Sequence, residues 1–243
     1  MKIAICCIAK NEPDIQEWID YHKSIGFDDV IVVNDYSEMN PINCILINEH
    51  PFKDIVDRQQ RVYTWILNQY RNEYDWIAFN DCDEFLFPKV PLKELLEKYK
   101  DYGGLGVNWV AFGSSGHNER QEGVLRNYTY SIPKDNLYNT HIKTIVNTKY
   151  GVGCFWNPHS FSYSENKFCV NENFEIIPDA FNPFTENLIR INHYFTKSKE
   201  DWEIKMRRGR SDTKTEMIVT WEHFNNIDSI ANIYDNEINE VVL

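Results

Sequence analysis

The stretch KIAICCIAKNEPDIQEWIDYHKSIGFDDVIVVN, residues 2–34, decides the fold. Residues 2–9 form an apolar run rich in Ile and Cys, which is typical of a strand that is covered on both faces. Apolar residues then recur at helical spacing over 15–25, and Gly26 follows at the position of a C-cap. Residues 29–34 form a second apolar run. The pattern predicts a βαβ unit with parallel strands and a right-handed crossover.

The same alternation continues along the N-terminal part of the chain. The pattern predicts another helix over 57–69 and a third strand over 75–79. Residues 1–102 therefore indicate an open α/β sheet with mainly parallel strands and flanking helices. In such sheets, ligands bind beyond the carboxyl ends of the strands.

Polar side chains follow each of the three predicted strands. They are Lys10, Asn11 and Glu12 after the first strand, Asp35 and Ser37 after the second, and Asp81, Asp83 and Glu84 after the third. Because the carboxyl ends of parallel strands lie at one edge of a sheet, we expect these side chains to converge on one cleft.

The pattern changes after residue 102. Glycines at 103–106 lead into a predicted strand over 107–112, a Gly/Ser loop follows, and 124–130 and 141–146 have the composition of strands. Ser198 and Asp201 then form a capping box ahead of a predicted helix. We find no linker or repeat, so the sequence predicts a single domain over residues 1–243.

Composition narrows the class of protein. The formal net charge of −12 argues against a protein that binds nucleic acid over a broad surface, because such a surface is basic. The six cysteines form no CxxC pair, and no apolar run approaches the ~20 residues of a membrane span. The apolar run at the N-terminus is too short for the hydrophobic region of a signal peptide. We therefore expect a cytoplasmic protein with reduced cysteines and no transmembrane segment.

Asp81 and Asp83 form an Asp-x-Asp pair at a strand end. Carboxylates projecting from such a bend suit Mg²⁺ or Mn²⁺, which would bridge a diphosphate and neutralise its charge as it leaves. The alternative is that the acids only cap a following helix. Pro88 and Pro91 make an immediate helix unfavourable, so the metal interpretation is preferred.

Several stretches together resemble glycosyltransferases related to family 2 and especially family 92. They are KNE at 10–12, EWIDYH at 17–22, NDYS at 34–37, DWIAFNDCDEF at 75–85, WVAFGSSGH at 109–117, HIKTIV at 141–146 and NHYFTKS at 192–198. Their order and spacing, more than any single one, carry the resemblance, which extends over about residues 3–210.

The resemblance implies a GT-A fold with a nucleotide-sugar half over 1–102, an acceptor half over 103–197 and a C-terminal helical segment over 198–243. It implies transfer of a sugar from a nucleotide-diphosphate donor, by default a UDP-sugar, to a hydroxyl of a glycan or glycoconjugate, with inversion. A lipid-linked acceptor would be met at the membrane surface, through the basic stretch 197–210.

The resemblance also suggests roles for single residues. Asp83 is expected to bind the metal directly, and Asp81 to contact the metal, its water shell or the ribose. Asp35 is expected to hold the nucleoside, with Lys10, Asn11 and Glu12 beside it. These residues are all at predicted strand ends.

Further candidates come from the later stretches. His193 is the predicted third metal ligand, with His159 as its competitor, and Lys197 is expected to neutralise the diphosphate. Lys205, Arg207, Arg208 and Arg210 could assist Lys197, but all of them except at most one arginine are interpreted as a solvated helix face. Inversion needs a base for the acceptor proton. The candidates are His117 and Glu119, with Asp135 as a weaker one. The usual Glu-Asp pair of family 2 is missing here, and the alternative for His117 is a structural or acceptor-binding role.

Two other functions fit parts of the pattern. A metal-dependent nucleotidyltransferase or phosphohydrolase would also place acids at a strand end, but we find no phosphate-binding glycine loop or second acid cluster. A non-catalytic carbohydrate-binding module would use the many Tyr and Trp side chains, and it would not need the intact Asp-x-Asp pair.

Overall fold

A computed structural model describes residues 1–53, 55, 57–208 and 219–240. The strands are β1 Ile3–Ala9, β2 Asp29–Asn34, β3 Ile45–Ile47, β4 Trp76–Phe79, β5 Glu84–Pro88, β6 Gly104–Ala111, β7 Tyr130–Ser131, β8 Ile142–Asn147, β9 Gly151–Gly153, β10 Ser162–Tyr163, β11 Cys169–Val170, β12 Ile176–Ile177, β13 Ile189–His193 and β14 Ile233–Tyr234. The helices are α1 Ile15–Ser24, α2 Arg58–Tyr70, α3 Leu92–Glu97, α4 Val124–Asn127, α5 Lys199–Arg208, α6 Trp221–Asp228 and α7 Glu237–Glu240, and Leu137–Thr140 is a 3-10 helix.

One mixed, mainly parallel sheet organises the chain. Its strand order within the described residues is β12-β11-β6-β8-β4-β1-β2-β3, with β13 beside β6 and β5 beside β13. β1 lies between β2 and β4 and is parallel to both, which confirms the predicted βαβ unit. β8 is antiparallel to β4 and β6. The α/β class with a mainly parallel sheet and flanking helices is confirmed.

Both faces of the sheet are covered by apolar side chains. Cys7 belongs to the core that contains Trp18 of α1, and Cys6 belongs to a second core that contains Val62 and Ile66 of α2. The neighbouring cysteines therefore face opposite sides of β1, as the period of a strand requires. All six cysteines are free.

Helix α1 holds strand β5 through the buried ring of His22. The Leu86 N–H donates to His22 Nε2 at 3.1 Å, so Nδ1 carries the ring proton and donates to the Trp18 carbonyl at 2.7 Å. Burial lowers the pKa of His22 to about 3, and the ring is neutral. The Trp18 indole also donates to the Glu84 carbonyl at 2.8 Å. These bonds fix the start of β5 and hence the turn that precedes it.

Several strands end at the same edge of the sheet, which we call the carboxyl edge. β1, β2 and β4 are parallel and end there together. β6 and β13 are parallel, with Ala111 opposite His193. Asn108 of β6 pairs with Ile142, the first residue of the antiparallel β8, so β6 ends where β8 begins. Side chains at these ends are therefore neighbours in space.

One predicted strand is wrong. Over 124–130 the chain forms the short helix α4 and only the first residue of β7. The Glu17 carboxylate accepts the backbone N–H groups of Val124 and Leu125 at 2.6 and 3.1 Å, which satisfies two donors at the start of this helix. The predicted helix over 57–69 corresponds to α2.

The capping box at the start of α5 is confirmed. The Asp201 N–H donates to the Ser198 hydroxyl at 3.1 Å, and the Ser198 N–H donates to the Asp201 carboxylate at 3.3 Å. Within the described part of the chain, no helix has the length and apolar character to cross a membrane.

Candidate functional site

The turn between β4 and β5 carries both acids of the Asp-x-Asp pair. The Glu84 N–H donates to the Asp81 carbonyl at 3.1 Å, and the Asp81 N–H donates to the Glu84 carboxylate at 3.0 Å. Glu84 is fully buried, so this reciprocal pair closes the turn from the inside. Asp81 and Asp83 therefore project at the carboxyl edge, as the sequence predicts.

Asp81 is held by groups from α2 and β8. Its carboxylate accepts from Lys143 Nζ at 2.8 Å and from the Gln59 amide at 2.7 Å. Burial disfavours the charge of Asp81, but Lys143 outweighs it and lowers the pKa of the carboxyl.

Lys143 is itself only 1% exposed, and its Nζ lies 3.6 Å from Glu84 Oε1. Burial opposes its charge, yet the two acids raise its pKa. Burial raises the pKa of Glu84 well above its usual range. One buried ammonium group thus neutralises the inner side of the turn.

Asp83 faces α5 and β13. Lys205 Nζ lies 3.0 Å from Asp83 Oδ2, and His193 Nε2 lies 3.7 Å from Asp83 Oδ1. Burial opposes ionisation of Asp83, but Lys205 and then His193 hold its pKa well below the usual range. Asp83 is therefore an anion with a cation on one side and an imidazole on the other.

The interpretation of α5 as a solvated basic face is wrong for Lys205. Its ammonium donates to the Phe195 carbonyl at 2.9 Å and lies 4.3 Å from the centre of the Phe195 ring, which turns it inward toward Asp83. Arg207 instead pairs with Glu203 on the exposed side of the helix. Arg210 and the side chain of Arg208 lie outside the described residues.

The two candidate histidines make different polar contacts. His193 is 5% exposed, and burial lowers its pKa to about 4, so its ring is neutral near pH 7. His159 donates from Nδ1 to the Ile142 carbonyl at 2.8 Å, and burial lowers its pKa to about 3. Within the described residues, His193 contacts Asp83 and His159 does not.

The ends of β1 and β2 meet as predicted. The Asn11 N–H donates to the Ser37 hydroxyl at 3.0 Å, which joins the two loops. Asp35 is buried and accepts from Arg58 at 3.1 Å through Oδ2. Its other oxygen, Oδ1, is buried and has no hydrogen-bond partner among the described residues. Lys10 lies beside Asn11 at the end of β1.

Lys197 connects the end of β1 to the chain that enters α5. Its Nζ lies 3.1 Å from Glu12 and 2.5 Å from Asp14, and Arg120 pairs with Asp14 as well as with Asp201. The structure therefore pairs Lys197 and Glu12 with each other. Lys197 still adds positive charge near Asp83 and contributes to its lowered pKa.

The predicted bases are not joined to the acids by any contact among the described residues. The Asn127 carbonyl can only accept, so His117 Nε2 donates to it at 3.2 Å and Nδ1 keeps a lone pair. The Glu119 and Asp135 side chains are exposed. His117 is thus half-buried, with one nitrogen able to accept a proton.

The donor set fits an open metal site better than a closed one. No group of three or more His, Cys, Asp and Glu side chains in the described part of the chain is arranged to enclose a metal ion. Asp83 Oδ1 and His193 Nε2 nevertheless face each other at a distance that one ion can bridge. Mg²⁺ is commonly bound through one or two protein groups, with water and phosphate at its other positions.

In the sequence analysis, Lys143 has no assigned role, and Lys205 is interpreted as part of a solvated helix face. The sequence does contain one indication for Lys143, because it is the charged residue in the otherwise uncharged strand β8. The sequence contains no such indication for Lys205, because its helix is charged on most sides and only the fold shows which side faces Asp83.

The sequence profile of glycosyltransferase family 92 matches residues 4–232. A comparison with curated proteins finds no match. Solved structures with some similarity include TarS 1–349 of S. aureus, with 17% identity, 61% of this chain and 47% of that chain covered, and a TM-score of 0.36.

Two others are bifunctional IspDF of Campylobacter jejuni, with 12% identity, 77% and 53% coverage and a TM-score of 0.41, and HddC of Yersinia pseudotuberculosis, with 12% identity, 82% and 91% coverage and a TM-score of 0.31. This chain spans about half the length of the TarS and IspDF structures. Because the family profile covers nearly the whole sequence, the chain belongs to glycosyltransferase family 92.

Proposed function

We propose that this protein is a metal-dependent glycosyltransferase that moves a sugar from a nucleotide-diphosphate donor, by default a UDP-sugar, to a hydroxyl of a glycan or glycoconjugate, with inversion. The observation that carries the proposal is the position of Asp83 and His193, 3.7 Å apart at the carboxyl edge of the sheet. This is the place where open α/β sheets bind ligands. Membership of family 92 supports the reaction class.

The nucleoside binds at the ends of β1 and β2. Asp35 Oδ1 is a buried acceptor without a partner among the described residues, and a ribose or base donor would satisfy it. Lys10, Asn11 and Glu12 line the neighbouring loop. The diphosphate then lies along the edge toward β4, where Lys205 and Lys197 provide positive charge.

Asp83 and His193 would hold Mn²⁺ or Mg²⁺. When bound, such an ion neutralises the charge that develops on the leaving diphosphate. Asp81 contacts the ribose or the water shell of the ion, since Lys143 and Gln59 already hold its carboxylate in place. Glu84 keeps both acids oriented by closing their turn.

His117 accepts the proton of the acceptor hydroxyl through Nδ1. Its Nε2 is already used as a donor to Asn127, which fixes the tautomer that a base requires. The loop that carries His117 follows β6, which ends beside His193. Glu119 is the second candidate, from the same loop.

Product analysis tests the proposal. The protein is incubated with UDP-glucose, UDP-galactose, UDP-N-acetylglucosamine or GDP-mannose and a mixture of oligosaccharides, with Mn²⁺ or with EDTA. We expect one donor to yield free nucleoside diphosphate and a glycoside in Mn²⁺ only, and Asp83→Asn to abolish both. Asp101→Asn, an exposed acid away from the carboxyl edge, is the matched control.

Release of pyrophosphate from a sugar phosphate and a nucleoside triphosphate would instead identify a nucleotidyltransferase. Sugar binding without turnover and without need for a divalent ion would identify a binding module. Either result would overturn the proposed function.

A further inference from the structure

A cluster of rings lies next to Asp83 on the side away from β1. We define this aromatic cluster by Trp109, Tyr138, His141, His159, His193 and Phe195. Trp109 is its centre, with ring centroids 4.3 Å from His193, 4.9 Å from His141 and 5.2 Å from His159. The Trp109 and His141 rings are stacked, with 13° between their planes.

The aromatic cluster has a buried floor and a more accessible rim. Trp109 and His193 are 6% and 5% exposed. The other four members are half-buried, and Phe181, whose ring centroid is 4.6 Å from that of His141, is exposed. The accessible surface of the aromatic cluster is therefore provided by its four half-buried members together with Phe181.

Two polar atoms of this floor are unsatisfied. Trp109 Nε1 and His193 Nδ1 are buried and have no hydrogen-bond partner among the described residues. The indole N–H can only donate. If His193 Nε2 faces a metal ion at Asp83, Nδ1 carries the ring proton and is a donor too, and ligating histidines nearly always give that proton to an acceptor. Buried donors without acceptors are rare in folded proteins, and each calls for an explanation.

We propose that the aromatic cluster binds the sugar ring of the donor, with Trp109 as the residue that determines its affinity. This inference rests on the proposed function and adds the sugar subsite to it. A sugar ring has a face of C–H groups that packs on an aromatic ring, and oxygens that accept hydrogen bonds from the Trp109 and His193 N–H groups.

The position favours the donor sugar over the acceptor. His193 belongs both to the aromatic cluster and to the pair with Asp83 where the diphosphate is placed. The donor sugar is bonded directly to that diphosphate, so the sugar ring must lie next to the diphosphate. Along the carboxyl edge the order is then nucleoside at β1 and β2, diphosphate at β4, and sugar at β6 and β13.

The test compares sugar nucleotides with their parent diphosphates. Calorimetry in Mn²⁺ measures the affinity of wild type and variants for UDP, GDP, UDP-glucose, UDP-galactose, UDP-N-acetylglucosamine and GDP-mannose. We expect at least one sugar nucleotide to bind wild type more tightly than its diphosphate. Trp109→Leu should weaken that binding by about tenfold or more, and it should change the affinity for the parent diphosphate by no more than about twofold.

Trp109→Phe keeps one aromatic ring and removes the N–H together with the five-membered ring, so it changes the core less than Leu does and guards against a folding defect. It should weaken the same sugar nucleotide by about fivefold, the effect of one hydrogen bond. Trp221→Leu, on α6, is the matched control and should change nothing.

Three results would overturn the sugar subsite while the proposed function stands. They are equal loss of diphosphate and sugar nucleotide in both Trp109 variants, unchanged sugar-nucleotide binding in Trp109→Leu, and a wild type that binds every sugar nucleotide no more tightly than its diphosphate. A wild type that binds none of the six nucleotides would overturn the proposed function and the subsite together.

Discussion

At the scale of single residues, Lys143 shows how the Asp-x-Asp turn is stabilised. It is buried and pairs with the partly exposed Asp81 and the buried Glu84, so its removal leaves the Glu84 carboxyl in the interior without this cation. We expect Lys143→Met to lower the free energy of unfolding by about 3–5 kcal/mol, since removing one partner of a buried ion pair is strongly destabilising. Urea unfolding measures the effect.

The added substitution Glu84→Gln should restore part of this loss, because Glu84 pairs with no cation other than Lys143 among the described residues. Lys98→Met, at an exposed position, should be neutral within about 0.5 kcal/mol. Equal stability of Lys143→Met and wild type would contradict the role of the buried lysine.

The acids of the site could be predicted from the sequence, and their counterions could not. Asp81 and Asp83 stand directly after an apolar strand, and this local pattern places them at the carboxyl edge. Lys143 and Lys205 reach them from 62 and 122 residues away. No local periodicity records such pairings, which depend on how the strands and α5 pack.

At the scale of elements, α5 brings the Lys205 ammonium to Asp83, where we propose that the diphosphate binds. We expect Lys205→Met to weaken the binding of UDP in Mn²⁺ by about tenfold or more, because a charged hydrogen bond contributes about 1.5–3 kcal/mol. Calorimetry measures the change. Lys199→Met removes an exposed lysine from the same helix and should leave the affinity as it is. Equal effects of the two variants would show that α5 acts only through its general charge.

The contact between α1 and β5 makes stability depend on pH through His22. Its pKa is about 3 in the folded protein and 6.5 when the ring is free, so the unfolded state binds the proton first as pH falls. The stabilisation by the neutral ring is complete above 6.5 and is lost as the pH falls toward 3. The slope reaches about 1.4 kcal/mol per pH unit.

We therefore expect the difference in unfolding free energy between wild type and His22→Leu to shrink as the pH is lowered from about 7.5 to about 4.5. Denaturant unfolding at several pH values measures it. A difference that stays constant over this range would mean that His22 is not neutral in the fold.

Elements with their own periodicity were predictable, whereas those that depend on distant partners were not. β1, α1 and β2 each carry an apolar pattern of the right period, and all three are confirmed. Helix α4 has only four residues, and Glu17 satisfies its first N–H groups from 107 residues away. The composition of 124–130 favours a strand, and this tertiary contact overrides it.

At the scale of the whole molecule, residues 219–240 pack back onto the sheet. Strand β14 pairs with β7, and the Asp228 carboxylate accepts from the Ser114 N–H at 2.7 Å. Arg190 of β13 is fully buried and lies 2.7 Å from Asp235. These contacts join the C-terminal part to the same body as the candidate site.

We expect Asp235→Ala to destabilise the protein by about 3–5 kcal/mol, because it leaves the buried Arg190 guanidinium short of an anion. Thermal unfolding gives the shift in Tm. Glu122→Ala, whose side chain is fully exposed, is the matched control. A Tm of Asp235→Ala equal to that of the control would show that this part of the chain contributes little to the body of the fold.

The whole account depends on nucleotide binding at the carboxyl edge, and calorimetry of UDP and GDP with and without Mn²⁺ tests it most directly. The account predicts that one diphosphate binds wild type only when Mn²⁺ is present, and that Asp83→Asn loses this binding while Asp101→Asn retains it. Diphosphate binding that depends neither on Mn²⁺ nor on Asp83, or no binding of either diphosphate, would contradict the proposed function.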